Sequence, residues 1–194
     1  MGEPKIQEDR RDYSVEEYLA ILEQSDIKLE YFDGEIRAMT GGTRNHSKIA
    51  ANVIALLVSG VDANQCSPFG SDLRVYSPTT QSHMFPDAMV VCGEEKFQDE
   101  RNDILLNPTV IVEVLSPSTM HYDFVEKFDK YKRIPSLREY VLISQDRYRV
   151  EVRSSKDDWG QIQIFEGRES KVELSSISLV VDMEAIYRQV TFEQ

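Results

Sequence analysis

Two carboxylates stand in segments that otherwise read as apolar strands: Asp87 in MFPDAMVV (84–91) and Glu113 in TVIVEVL (109–115). Side chains alternate along a strand, so Ile111, Glu113 and Leu115 share one face, and Val110, Val112 and Val114 the other. Both faces are apolar, so Glu113 cannot reach water by turning over. A buried carboxylate without a partner costs several kcal/mol or takes up a proton. It therefore calls for a partner, and a metal ion is one candidate. Downstream, Asp123 and Lys127 lie one helical turn apart on the same face. An Asp and a Glu together suit a hard cation such as Mg²⁺, or Mn²⁺, which takes carboxylate oxygens and keeps several waters. A lysine beside them suits phosphoryl chemistry, because it can stabilise charge on a phosphate or orient a water. Asp87, Glu113 and Lys127 together describe a metal-assisted phosphodiester site. Other readings of the same residues stand beside it. Asp87 fits a hydrogen-bonded turn carboxylate after Pro86. Glu113 fits a buried ion pair with Lys127 and no metal. Asp123 and Lys127 also fit a plain i,i+4 pair worth ~0.3–0.5 kcal/mol.

The elements that must carry these residues are legible from periodicity and punctuation. Ser14 with Glu17 is a capping box, and the helix SVEEYLAILEQ follows. KLEYFDGEIRAM (28–39) reads as a hairpin turning at Asp33-Gly34. RNHSKIAANVIALLVSGV (44–61) places Ile49, Val53, Leu56 and Leu57 on one helical stripe. GSDLRVYSP and MFPDAMVV read as successive strands, and GEEKFQDERND (93–103) as a charged loop. TVIVEVL is the central strand, stopped by Ser116-Pro117. Residues 119–133 read as a helix with Phe124, Phe128 and Tyr131 on its apolar face, and Ser116, Ser118 and Thr119 end the strand and cap it. REYVLIS, RYRVEVR and GQIQIFEG are further strands, and SLVVDMEAIYRQV closes the chain as a strand end and short helix. This order predicts one α/β domain over residues 13–194, built around one sheet, after a flexible N-terminus at 1–12.

Composition narrows the function. The chain has 194 residues, no stretch near the ~20 apolar residues of a membrane span, and a charged start without a signal-peptide core. MGEPKI carries Ile where N-myristoylation asks for Ser or Thr. Cys66 and Cys92 are too far apart for a CxxC pair and, with three scattered histidines, make no zinc pattern. These features predict reduced cysteines and a cytoplasmic protein. The net charge of −12 excludes a general nucleic-acid coat. Residues 127–153 nevertheless hold eight Lys/Arg against four acids, either a local basic surface or a mixed-charge helix and hairpin.

IVEVLSPST followed by D-x-x-x-K-x-x-x-Y (123–131), with LEYFDGEIRAM, FPDAMVV, REYVLI and ISLVVDMEAIY, resembles the Uma-two-type restriction endonucleases. These belong to the PD-(D/E)XK nuclease superfamily, and the resemblance runs over nearly the whole chain. It implies a restriction-endonuclease-like α/β (α+β) fold: a central mixed sheet flanked by helices, with added antiparallel strands at the C-terminal end. It further implies a Mg²⁺-dependent endonuclease acting on DNA, commonly as a homodimer. Asp87 and Glu113 would be its metal ligands and Lys127 its catalytic lysine. Glu30 and His46 match the family pattern as further site residues, beside Asp123. One position departs from the superfamily: Leu115 stands where the lysine two residues after the Glu belongs. Lys127 on the next helix is the replacement this family type offers. The departure also leaves open a catalytically inactive interaction or regulatory module, and the acidic chain leaves open a hydrolase of small phosphorylated molecules. Arg44 and Lys48, at the start of the long helix, are candidate phosphate contacts.

Overall fold

Local signals in the sequence act first. Ser14 Oγ accepts from the Glu17 N–H at 3.2 Å and the Glu17 carboxylate accepts from the Ser14 N–H at 2.8 Å, opening helix α1 (Val15–Leu22). Asp33 and Gly34 take φ of 52° and 90°, the backbone a two-residue hairpin turn requires, and join β1 (Leu29–Phe32) to β2 (Glu35–Ala38). Thr43 Oγ1 accepts from the His46 N–H at 3.2 Å and starts α2 (Arg44–Gly60). The computed structural model describes residues 12–39, 41–98, 100–116 and 122–192. Most of the N-terminus expected to be flexible, the caps Ser118 and Thr119, and the start of the helix expected at 119 lie outside them.

The strands that follow are β3 (Cys66–Gly70), β4 (Arg74–Ser77), β5 (Ser82–Met84), β6 (Ala88–Cys92), β7 (Ile104–Leu105) and β8 (Val110–Leu115). A π-helical turn (Tyr122–Lys127) runs into the short α3 (Phe128–Tyr131). Then come β9 (Glu139–Ser144), β10 (Arg149–Ser154), β11 (Ile162–Glu166), β12 (Lys171–Leu174), β13 (Leu179–Asp182) and α4 (Met183–Ile186). The single sheet expected from the sequence is in fact divided. One sheet has the order β2-β1-β5-β4-β7, a second β11-β10-β9-β8-β6-β3, and β12 pairs with β13. The division falls inside MFPDAMVV, which the sequence suggests is one strand. Pro86 has no N–H to give to a ladder, and the chain breaks there. β5 ends at Met84 in the first sheet, β6 begins at Ala88 in the second, and Asp87 sits in the crossing between them. Within the second sheet β8 runs parallel to β9, and β6 antiparallel to β8, so the sheet is mixed.

The two faces of the second sheet have separate cores. Ala88, Val90, Val110, Val112, Val114 and Val141 pack with Ile49, Val53 and Leu57 of α2. Met89, Val91, Ile111, Leu115, Tyr140 and Leu142 pack with Phe32, Val75, Met84 and Leu105 of the first sheet and with Tyr131. Because β1 alternates, Leu29 and Tyr31 join the α1 cluster, while Glu30 and Phe32 face the larger sheet. Glu30 is thereby delivered to the seam between the sheets, opposite Glu113.

The cysteines depart from expectation. Cys66 and Cys92 lie opposite each other in the β3–β6 ladder and form a disulfide across a sequence separation of 26. Their distance in the sequence concealed a pairing that the strand register creates. The expectation of reduced cysteines is corrected, and their spacing no longer supports a reduced compartment. Closing a loop of that length restricts the unfolded chain by roughly 3 kcal/mol. Thiol titration in denaturant is expected to give no free thiol before reduction and two after it, with a melting temperature lower by roughly 6–12 °C in the reduced protein.

His83 on β5 is fully buried, with neither ring nitrogen hydrogen-bonded. It lies among Tyr18, Tyr31 and Tyr76 at ring-centroid distances of 5.1, 6.4 and 4.5 Å. Burial, and then the Arg74 guanidinium, pull its pKa down to about 3. The native state therefore resists the proton that the unfolded chain accepts near pH 6.5. Stability is whole above pH 6.5 and is lost progressively as the pH falls toward 3. The His83 share of that loss is roughly 3 kcal/mol by pH 4. His83→Phe, which keeps the ring, is expected to flatten the fall in melting temperature between pH 6.5 and 4. Parallel acid limbs for the two proteins would show that His83 does not drive it.

Candidate active site

Lys127 is buried, and so are the three carboxylates around its ammonium. Its Nζ lies 3.0 Å from Glu30 Oε1, 3.1 Å from Glu113 Oε1 and 3.6 Å from Asp123 Oδ1. The four side chains come from β1, β8 and the π-helical turn, so separate parts of the chain converge on one cation. Glu30 Oε1 also accepts the Phe85 N–H at 3.0 Å, and the Tyr131 hydroxyl donates to Glu113 Oε1 at 3.2 Å. The Tyr140 hydroxyl donates to the Asp123 carbonyl at 2.8 Å and steadies the turn.

Asp87 stands at the edge of this cluster, 13% exposed, with Oδ2 accepting the Val114 N–H at 2.7 Å. The same oxygen lies 3.2 Å from His46 Nε2. That contact depends on a glycine. A Cβ on Gly42 would come within 2.7 Å of His46 Nδ1, so the loop before α2 must be bare for the imidazole to sit there. Gly42 and Tyr131 were not among the candidates the sequence suggested. The Gly-Gly-Thr run before a helix was the available signal for the first; the D-x-x-x-K-x-x-x-Y spacing was the signal for the second.

Charge governs the chemistry of the cluster. Burial pushes the Glu113 carboxyl well above its ordinary range; Lys127 opposes this, while Asp123, Asp87 and Glu30 push it further up. Burial disfavours the Lys127 ammonium, yet Glu113 and Glu30 outweigh it and hold the lysine charged well past its usual pKa. The Asp87 hydrogen bond raises the His46 pKa against its partial burial. Four carboxylates thus share one ammonium and one imidazole, and the cluster carries an excess of negative charge.

All six residues singled out as site candidates, Glu30, His46, Asp87, Glu113, Asp123 and Lys127, are gathered here. Lys127 and Asp123 are the i,i+4 pair foreseen, and Lys127 also pairs with Glu113. Of the basic surface considered for residues 127–153, Lys127 and Arg153 are turned inside the molecule, while Arg133, Arg138 and Arg147 are exposed. Lys127 is in the cluster, and Lys132 pairs with Asp129. Arg153 bonds Glu151 and lies over the rings of Phe124 and Phe128 at 4.6 and 4.4 Å. Arg149 is bound to Glu166. Lys48 reaches the Gln189 carbonyl and ties α2 to the C-terminal segment.

The oxygen-only donors suit a hard cation rather than zinc. Among the described residues no group of three or more His, Cys, Asp or Glu side chains is arranged to hold a metal ion. Mg²⁺ asks for less, since one or two protein carboxylates with waters suffice. The chemistry of the donors fits such an ion, with the Lys127 ammonium among their oxygens.

The fold is a mixed α/β architecture, and this architecture has a solved counterpart. The crystal structure of a putative nuclease belonging to DUF820 from Anabaena variabilis matches it with a TM-score of 0.72, over 86% of this chain and 93% of that one, at 18% sequence identity. The chain belongs to the Uma2 family, described as putative restriction endonucleases, whose model matches residues 15–184. Two uncharacterised proteins of Synechocystis sp. are similar to it. One is 35% identical over 179 residues, covering 92% of this chain and 93% of its own length. The other is 40% identical over 135 residues, covering 70% and 76%. No helix among the described residues is long and apolar enough to cross a membrane.

Proposed function

We propose that this chain is a nuclease that hydrolyses phosphodiester bonds in DNA with the help of Mg²⁺, Mn²⁺ being an alternative. The observation that carries the reading is the buried convergence of Glu30, Glu113 and Asp123 on the Lys127 ammonium. Membership of a family described as putative restriction endonucleases supports it. Asp87 and Glu113 would hold the metal, which when bound lowers the pKa of water and draws charge from a phosphoryl oxygen. The residues of the chain prepare the site. Tyr131 fixes the Glu113 carboxylate, and His46 holds a proton against Asp87 Oδ2. Lys127 keeps the carboxylates together and carries the donors that can turn to a water or a phosphate oxygen. In this reading Lys127 takes the part that Leu115, buried at 6% exposure, cannot play.

The test is cleavage of duplex and single-stranded DNA by the purified protein in Mg²⁺, Mn²⁺ or EDTA, with RNA and nucleotide phosphates as competing substrates. Cation-dependent DNA cleavage is expected. Cleavage confined to small phosphorylated molecules would move the assignment to a phosphohydrolase. A homodimer is part of the proposal and is read by light scattering.

A second reading, an inactive nuclease-fold module, draws on the engagement of Lys127 with three acids. Calorimetric titration separates the two. Saturable Mg²⁺ or Mn²⁺ binding that disappears in Glu113→Ala favours the nuclease, and no binding favours the module.

A further inference from the structure

The acidic cluster meets solvent through two of its residues. The side chains of Glu30, Glu113, Asp123 and Lys127 are at most 6% exposed, whereas those of Asp87 and His46 are 13% and 20% exposed. This open edge lies at the C-terminal end of β8, where Asp87 accepts the Val114 N–H and the first turn of α2 brings His46 to it. Two elements frame the edge. One is the start of α2, with Arg44 and Lys48 one turn apart on the same face. The other is the turn between β9 and β10. β9 is parallel to β8, and Ser144 stands opposite Leu115, two residues past Glu113, so the turn begins beside the site. Arg147 in that turn lines a small cleft together with Leu115 and with Phe124, the chain neighbour of Asp123. The two elements are fastened to each other. The Thr43 hydroxyl donates to Gln145 Oε1, and the Asn45 amide donates to the Gln145 carbonyl at 3.4 Å.

The charge of this edge is opposite to that of the chain. The net charge is −12, yet residues 36–61, which include all of α2, hold no acid. Arg44 and Arg147 are exposed, and among the described residues neither guanidinium makes a hydrogen bond or an ion pair. Lys48 bonds the Gln189 carbonyl, a neutral acceptor that leaves its charge uncompensated. Of the nearby acids, Asp87 is engaged by His46, and Glu166 by Arg149. Asp146 is exposed and accepts only from the Ser144 hydroxyl. Three uncompensated cations therefore outweigh one open carboxylate. A polyanion is repelled by an acidic molecule as a whole, so it reaches the cluster over a locally positive surface. We propose that Arg44, Lys48 and Arg147 hold the phosphate backbone of DNA across the edge formed by Asp87 and His46. The choice of DNA rests on the nuclease reading; the choice of a phosphate backbone rests on the open guanidiniums, which present forked donors to phosphate oxygens. Such contacts position a strand without reading its sequence.

The far end of β9 supplies the control. Arg138 precedes that strand and Lys156 follows its antiparallel partner β10, roughly 20 Å from the turn at 3.3 Å per residue. Both are exposed, and among the described residues neither side chain is paired. The experiment is fluorescence anisotropy of a labelled DNA duplex titrated with the full chain in EDTA, at about 50 and about 200 mM KCl. The double variants Arg44→Glu/Arg147→Glu and Arg138→Glu/Lys156→Glu change the net charge equally, and melting curves check that both fold. The first is expected to weaken binding about tenfold or more. It should also flatten the slope of log Kd against log salt by about 2, since each phosphate contact contributes about 0.9. The second is expected to stay within about twofold of the wild type, because its charges lie away from the site. Equal weakening by both pairs would mean that net charge alone acts, and would overturn the proposal. So would wild-type affinity in Arg44→Glu/Arg147→Glu, or no binding by the wild type at the lower salt. Cleavage in Mg²⁺ or Mn²⁺ is read separately. Cleavage without dependence of binding on Arg44 and Arg147 removes this surface and leaves the nuclease reading intact. Binding that depends on them, with no cleavage in either metal, supports the surface and removes the nuclease reading.

Discussion

Lys127→Met is expected to destabilise the protein by roughly 3–5 kcal/mol, the usual cost of leaving one side of a buried ion pair without its partner. Methionine fills the space of the aliphatic stem but removes the charge that Glu30, Glu113 and Asp123 share. The carboxylates then repel one another in a place water does not reach. They can escape by taking up protons, and Glu113, already pushed up by burial, goes first. Proton uptake costs more as the pH rises, so the penalty should grow from pH 5 to pH 8. Urea denaturation across that range measures it. Combining Lys127→Met with Glu113→Gln should recover part of the loss, because one of the stranded charges is removed. A penalty below about 1 kcal/mol, of the size seen for exposed pairs, would mean the ammonium is not the centre of this cluster.

Glu113→Gln and Asp87→Ala are expected to lower phosphodiester hydrolysis by on the order of a thousandfold or more, about 4 kcal/mol of barrier. The two variants should part company in stability. The amide introduced by Glu113→Gln keeps the shape and can still accept from Tyr131, and the change removes a charge that burial disfavours. The melting temperature of that variant should stay near that of the wild type. Removal of the Asp87 carboxylate leaves the Val114 N–H without its acceptor and frees His46, a loss of roughly 1–3 kcal/mol. Initial rates on one DNA substrate, set beside melting curves, separate a chemical defect from unfolding. Wild-type rates in Glu113→Gln would end the assignment of this residue to the chemistry.

The seam between the sheets explains how few of these residues can be exchanged independently. Glu30 arrives by strand alternation, Asp87 by a break at proline, Lys127 by a π-helical turn and His46 by a capped helix over a bare Gly42. Each device is local, yet the cluster exists only where all of them meet.

The sequence alone determined the local parts. Pattern and turn chemistry specify the capping box at Ser14, the Asp33-Gly34 hairpin, the apolar stripe of α2 and the central strand with one carboxylate, since these depend on residues close in the chain. The tertiary structure decided everything that depends on pairing between distant segments. It split MFPDAMVV between two sheets at Pro86, where a missing N–H ends the ladder. It brought Cys66 opposite Cys92 through strand register, which sequence spacing does not reveal. From a stretch with an excess of basic residues it turned Lys127 and Arg153 inward, where acids from β1, β8 and β10 meet them, and left Arg133, Arg138 and Arg147 exposed. The candidates Glu30 and Asp123 could be named from the sequence, but their convergence on Lys127 could not. A charge on a strand carries no mark of which distant charge will share its burial, and packing alone makes that choice.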